Sequence, residues 1–236
     1  MFYFISPSKI FKWIEKITNF INSIFFVVLI VGLTFALLIS PPDYLQGDNV
    51  RIMYVHVPSA WISLASFTCI AFLSFLTFLL KLKNLNLISK SIAPIGLLFT
   101  FLAIITGSLW GKPTWGTWWA WDARLTSMLI LLLFYVLYIL SNKIIKDEDK
   151  ANKVSGLIAI VGLINIPIIK YSVDWWSTLH QPQSINIISG SSSIHSSMLF
   201  PLMLMLLVLL LYCALILLMK YKTEIIRIKK KNIKRI

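Results

Sequence analysis

Charge is what this chain has least of. Asp, Glu, Lys and Arg make up 13% of its 236 residues, against about 25% in an ordinary soluble domain. Acidic residues are scarcer still, nine against 22 Lys and Arg, for a formal net charge of +13, while 58% of the chain is hydrophobic. The apolar runs recur from end to end, which excludes a soluble core carried on a single anchor. There are two cysteines, Cys69 and Cys213, both inside apolar runs. With no CxxC pair and no CxxCH, neither a redox pair nor a covalent attachment site is present, and both read as packing residues. HExxH and Cys/His zinc spacings are missing too. GSLWGKPT, residues 107–114, fails as a phosphate loop: three residues rather than four separate its glycines, and proline follows the lysine. Any ATP dependence must therefore come from another subunit.

A helix needs about 20 apolar residues to cross roughly 30 Å of hydrocarbon. Six runs qualify, at about 20–40, 61–80, 92–110, 125–142, 154–171 and 198–219. The expected fold is an all-α membrane protein of six transmembrane helices, forming one domain over 1–236. The fifth span is the weakest, because Pro167 and Lys170 interrupt its end. No small-residue cleavage site follows the first run, which reads as a retained span and not a removed signal. The basic residues explain themselves by position and not by nucleic acid. Eighteen lie at the N-terminus, in the second-to-third and fourth-to-fifth loops and in the tail. The opposite side holds four: Arg51, Lys112, Arg124 and Lys170. Lys and Arg accumulate on the cytoplasmic side, so both termini are expected there. Apart from Lys170 the spans carry no charge. Ion-coupled carriers place ionisable groups near the midplane, and a permease needs a polar central path that these spans lack.

The other face is where chemistry is expected. It holds His56, His180 and His195, and every tryptophan except Trp13. An aromatic belt decorates both membrane surfaces; this concentration is one-sided. The segment 110–127, WGKPTWGTWWAWDARLTS, packs five tryptophans into 12 residues. Placed on a helix from Trp115 at about 100° per residue, Trp115, Trp118, Trp119 and Asp122 share a broad aromatic face and Trp121 points away. Such a face suits a membrane-surface anchor or a platform for a large flat ligand. Asp122 on that face favours the platform, unless it caps the following helix. Gly107 and Gly111 form a GxxxG, a packing signal.

Two flanking segments each bring a histidine beside aromatics: RIMYVHVPSAW (51–61) and SVDWWSTLHQPQS (172–184). Asp174 is a plausible helix start and Pro182 a stop, which would set Trp175, Trp176, Leu179 and His180 on one stripe. Two histidines from separate loops around a tryptophan platform suit the two axial positions of a metal macrocycle, and histidine commonly holds haem iron. Arg51, Lys112 and Arg124 suit anionic propionates. His195, within GSSSIHSSM, reads as solvated loop.

The segment WGTWWAWDARLTS (115–127) resembles the WWD signature of the haem-handling membrane proteins, and the surrounding chain is similar to their cytochrome c maturation branch. PPDYLQG, RIMYVHVPSAW, APIGLLFTFLAIITGSLWGKP and NIPIIKYSVDWWSTLHQ carry the likeness; the N-terminus, 183–197 and the tail carry little. The resemblance implies haem b held at the outer surface, with His56 and His180 as axial ligands over Trp115, Trp118, Trp119, Trp121 and Asp122. It implies transfer of that haem to the chaperone CcmE, and assembly in the lipid bilayer with CcmA, CcmB and CcmD. The chain would be a haem-handling subunit and not an enzyme, with no ATPase of its own. A haem lyase subunit is the alternative; lyase members are expected to be longer, with membrane-buried histidines. A haem-export permease is another. Eighteen Lys against four Arg suits an AT-rich genome, so a bacterial inner membrane is expected and a mitochondrial one fits too.

Overall fold

The computed structural model describes residues 7–81, 85–182, 184–186 and 191–233. Of the basic residues counted above, Lys83, Lys234 and Arg235 lie outside them. The chain is an all-α membrane protein. Its helices are α1 (Pro7–Thr34), α2 (Met53–Leu80), α3 (Leu85–Trp115), α4 (Ala123–Ile144), α5 (Glu148–Gly162), α6 (Asn165–Trp175) and α7 (Ser196–Ile233). Among the described residues six helical stretches are long and apolar enough to cross a membrane, with α5 and α6 together making one of them. The shortest has 22 residues and reaches about 33 Å at 1.5 Å per residue. Between Ile185–Asn186 and Ser191–Ser192 runs a two-residue antiparallel pairing.

α2 and α3 form the most extensive helix pair and the centre of the bundle. One side of this pair packs on α4, α5 and α6 through Phe67, Ile70, Ala93, Leu131, Tyr135 and Ile169. The other packs on α7 through Met53, Tyr54, Leu202, Met205 and Val208, and α1 lies in turn against α7. Phe72, Leu133, Leu157 and Phe200 face outward, as lipid-facing side chains do. Cys69 faces outward as well and fills no core position.

Pro167 explains the break between α5 and α6. Lacking an N–H, it leaves the Leu163 carbonyl four residues back without its helical partner. Ile166 N–H takes that carbonyl at 3.1 Å in a tighter turn, and the Asn165 amide donates to the Ser127 carbonyl of α4 at 2.8 Å. The break is thereby satisfied inside the bundle, as lipid requires.

The interior corrects one expectation. Charge is absent from it, but polarity is not: Ser59, Ser63, Thr100, Ser127, Asn165 and Ser172 are all buried. They are glue and not a path. Ser63 and Thr100 hydroxyls bond across the α2–α3 interface at 2.5 Å, and Tyr135 Oη donates to the Ser63 carbonyl at 2.7 Å. Interhelical bonds of this kind join helices where lipid offers no hydrophobic drive.

Tyr135 lies against bare backbone at Gly96, where an added Cβ would sit 2.1 Å from its hydroxyl oxygen. Gly96→Ala is therefore expected to destabilise the protein by about 1–3 kcal/mol through overpacking. Thermal unfolding in detergent measures this; an unchanged midpoint contradicts the packing described.

Candidate functional site

At one end of the bundle α1, α3 and α6 finish and α2, α4 and α7 begin. The irregular segments 40–47, 116–122 and 176–182 all lie there. His56 is on the first turns of α2, not in the loop before it. Its ring enters the α2–α3 interface because residue 107 is glycine: a Cβ there would stand 3.0 Å from His56 Cε1. His56 Nδ1 meets Thr106 Oγ1 at 3.1 Å, and the Trp110 ring lies edge-on at 5.7 Å between centres. Trp110 is itself held by its Nε1–H donating to Gln46 Oε1 at 2.7 Å.

The tryptophan segment is not the helix expected from Trp115 onward. Trp115 is the last residue of α3, and 116–122 is irregular. Gly116 takes φ +77°, a left-handed conformation that glycine adopts freely and that ends helices. The aromatic face built on helical spacing is thus dispersed. Trp115 folds back over Gly111, where a Cβ would come 2.9 Å from its ring, and its ring centre lies 6.0 Å from that of His180. Trp118 is exposed, with Lys112 Nζ 6.0 Å from its ring centre. Trp119 is half-buried, its Nε1 fully buried and unpartnered among the described residues, and Trp121 lies edge-on to it at 5.5 Å. The GxxxG at Gly107 and Gly111, read as helix packing, instead makes room for His56 and Trp115.

Asp122 caps α4: its Oδ1 accepts Leu125 N–H at 2.8 Å, worth about 0.5–2 kcal/mol. Its other oxygen accepts Leu179 N–H at 3.3 Å, tethering the His180 segment to α4. No helix starts at Asp174, which lies in the last turn of α6, so the expected stripe of Trp175, Trp176, Leu179 and His180 does not form. Trp176 leaves α6 in extended conformation, because the chain must cross from α6 back to α4.

Arg124 completes the site from α4. Nε donates to Ser172 Oγ at 3.0 Å, NH2 to the Lys170 carbonyl at 3.2 Å, and NH1 meets His180 Nδ1 at 3.1 Å. The same Nδ1 is 3.0 Å from the Gln181 carbonyl. Burial chiefly holds the His180 imidazole below its usual range; Arg124 adds to this, while the Gln181 carbonyl and Asp122 oppose it. The ring is therefore neutral at pH 7, the form that binds a metal.

His56 and His180, 124 positions apart, come together with ring centres 6.4 Å apart and planes at 33°. Two imidazoles sharing one iron, each at about 2 Å, put their ring centres about 6 Å apart. The described residues hold no cluster of three or more metal-ligating side chains. The Arg51 guanidinium is engaged by Asp48 at 3.0 Å and by the Ala36 and Leu37 carbonyls at 3.1 and 2.6 Å. His195 is exposed, and its Nδ1 meets Ser197 Oγ at 2.8 Å.

The profile of the heme exporter protein C family, CcmC, matches residues 1–235. Heme exporter protein C of Bradyrhizobium diazoefficiens is 41% identical over 200 residues, 85% of this chain and 75% of the relative. Heme exporter protein C of Escherichia coli K12 is 47% identical over 155 residues, 66% of this chain and 63% of the relative. A putative cytochrome c biosynthesis ccmC-like mitochondrial protein of Marchantia polymorpha is 48% identical over 166 residues, 70% of this chain and 69% of the relative.

Since a Cβ at position 107 already touches His56, Gly107→Val is expected to push the ring from its place. An overpacking cost of about 1–3 kcal/mol, where it falls on the haem-bound state, corresponds to roughly 5- to 150-fold weaker haem retention. Haem per purified protein measures this; undiminished retention in a folded variant contradicts it.

Proposed function

This chain belongs to the heme exporter protein C family, and from that premise we propose that it presents haem b to the haem chaperone CcmE during cytochrome c maturation. His56 and His180 are the two axial ligands. The observation that carries this reading is their 6.4 Å ring separation, combined with an acceptor within reach of each Nδ1, the Thr106 hydroxyl and the Gln181 carbonyl, that leaves Nε2 for iron. Trp115 and Trp110, next to the imidazoles, offer apolar walls to a flat ring. Trp118, Trp121, Trp175 and Trp176 are exposed around them and supply an aromatic rim. Trp119 offers a buried indole N–H that lacks a partner among the described residues. Arg124 is the cation nearest the imidazole pair for a propionate.

Haem is cargo here and not a resident catalyst. The protein's part is to orient it between the two imidazoles, keep it at the outer end of the bundle, and release it to a partner. Asp122 positions the His180 segment without touching the ring, through Leu179 N–H. CcmA and CcmB supply ATP-driven release and CcmD completes the assembly; this subunit hydrolyses no ATP. The charge distribution supports a histidine end on the outer side of an inner membrane, with the termini on the inner side.

A visible and spin-state spectrum with supplied haem tests the ligand pair. Two imidazoles give six-coordinate low-spin iron. His56→Ala and His180→Ala are each expected to convert it to a five-coordinate or water-ligated form, the double variant to lose most haem, and His195→Ala to change little. A spin change in His195→Ala without one in His180→Ala overturns the assignment. Orientation is tested separately: a reporter fused at Lys222 is expected to be active only as a cytoplasmic reporter, and periplasmic activity there reverses the topology.

A further inference from the structure

The two imidazoles are prepared differently, and the difference lies in who holds each Nδ1. At His56 the partner is the Thr106 hydroxyl, whose own proton goes to the Leu102 carbonyl at 2.6 Å. A hydroxyl with its proton committed can only accept. His56 therefore donates from Nδ1, and its Nε2 keeps a lone pair.

At His180 one atom faces two incompatible partners. Arg124 NH1, at 3.1 Å, is a donor that never loses its proton, so this contact needs a bare Nδ1 and puts the ring proton on Nε2. The Gln181 carbonyl, at 3.0 Å, is purely an acceptor, so that contact needs a proton on Nδ1 and leaves Nε2 bare. A neutral ring satisfies one or the other. Only the second form can bind iron through Nε2.

Resting on the ligand assignment proposed above, we infer that Arg124 gates His180: paired with Arg124 the imidazole is a non-ligating tautomer, and it becomes a ligand when a carboxylate of the bound tetrapyrrole draws the guanidinium away. The ring stays neutral throughout. One proton leaves Nε2 for solvent and one arrives at Nδ1, where Gln181 accepts its hydrogen bond. A guanidinium prefers a bidentate carboxylate to a single imidazole nitrogen, so the carboxylate is the natural competitor. His56 is thus the standing ligand and His180 the conditional one. Its bond to iron is the one that breaks when haem leaves, because Arg124 can return to Nδ1.

Two measurements test this. The first needs no haem: ring nitrogen resonances of the 15N-histidine-labelled full-length protein, assigned by single His→Ala variants among its three histidines. His56 is expected to carry its proton on Nδ1 and His180 on Nε2, and Arg124→Leu to move the His180 proton to Nδ1. A His180 already protonated on Nδ1 in the unaltered protein, or unmoved in Arg124→Leu, overturns the gate. The second compares ferric protoporphyrin IX with its dimethyl ester, which has no free carboxylate. The unaltered protein is expected to hold the free acid low-spin and the ester mostly high-spin, with Arg124→Leu turning the ester low-spin. A merely structural Arg124 predicts the reverse, a loss of low-spin iron in Arg124→Leu, and that result overturns the gate. Ser172→Ala, which removes the hydroxyl holding Arg124 Nε, is expected to shift the ester the same way by a smaller fraction, and it serves should Arg124→Leu fail to fold. If His180→Ala leaves the free-acid complex low-spin, the ligand assignment fails, while the nitrogen resonances still report on the tautomer.

Discussion

Lipid cannot satisfy a backbone amide or carbonyl, so a chain that crosses it must be helical wherever it meets hydrocarbon. Everything distinctive about this protein follows from where that rule is relaxed. Three irregular segments, 40–47, 116–122 and 176–182, emerge at the same end of the bundle. They are also where the chain can afford a guanidinium, two imidazoles and an unpartnered indole N–H. The interruption between α5 and α6 is closed by Asn165 and by a tightened turn at Leu163. The longer irregular segments thereby gather at the end that holds the two imidazoles.

Rigidity is unevenly divided across that end. His56 belongs to α2, at the centre of the bundle, and is lodged against Gly107 of α3. His180 belongs to an irregular segment held by a few polar contacts, those of Asp122 and Arg124. A site on a helix is held more precisely than one on a loop. Under the proposed assignment a carrier that must both keep and release its cargo gains from such a division, with one imidazole fixed and the other dependent on bonds that can be exchanged. Arg124 concentrates that dependence, since one guanidinium joins α4, the end of α6 and the His180 ring.

The glycines set the spacing that makes this possible. Gly107 lets an imidazole enter between α2 and α3, and Gly111 lets Trp115 fold back onto its own helix. Gly116 then ends α3 and frees the following tryptophans from helical spacing. Each aromatic takes its own environment: Trp110 is tied to Gln46, Trp119 half-buried, Trp118 and Trp121 exposed. A continuous helix would have presented one uniform face; the broken segment presents a wall and a rim.

The six spans, the one-sided histidines and tryptophans, and the family signature were legible in the sequence because each depends on composition along a short window: about 20 apolar residues make a span whatever surrounds them. The buried serines and Asn165 escaped a reading based on charge, since their partners lie on other helices. The helical aromatic face was mistaken because periodicity was followed through Gly116, whose positive φ ends the helix. Asp122 was legible as a cap, being local, but its hold on Leu179 was not. The pairing of His56 with His180 was available from the sequence only as two residues flanking a segment. Their separation, and the contest between Arg124 and Gln181 for one nitrogen, belong to tertiary structure. They arise where α2, α4 and the segment after α6 converge, and no window of sequence contains all three.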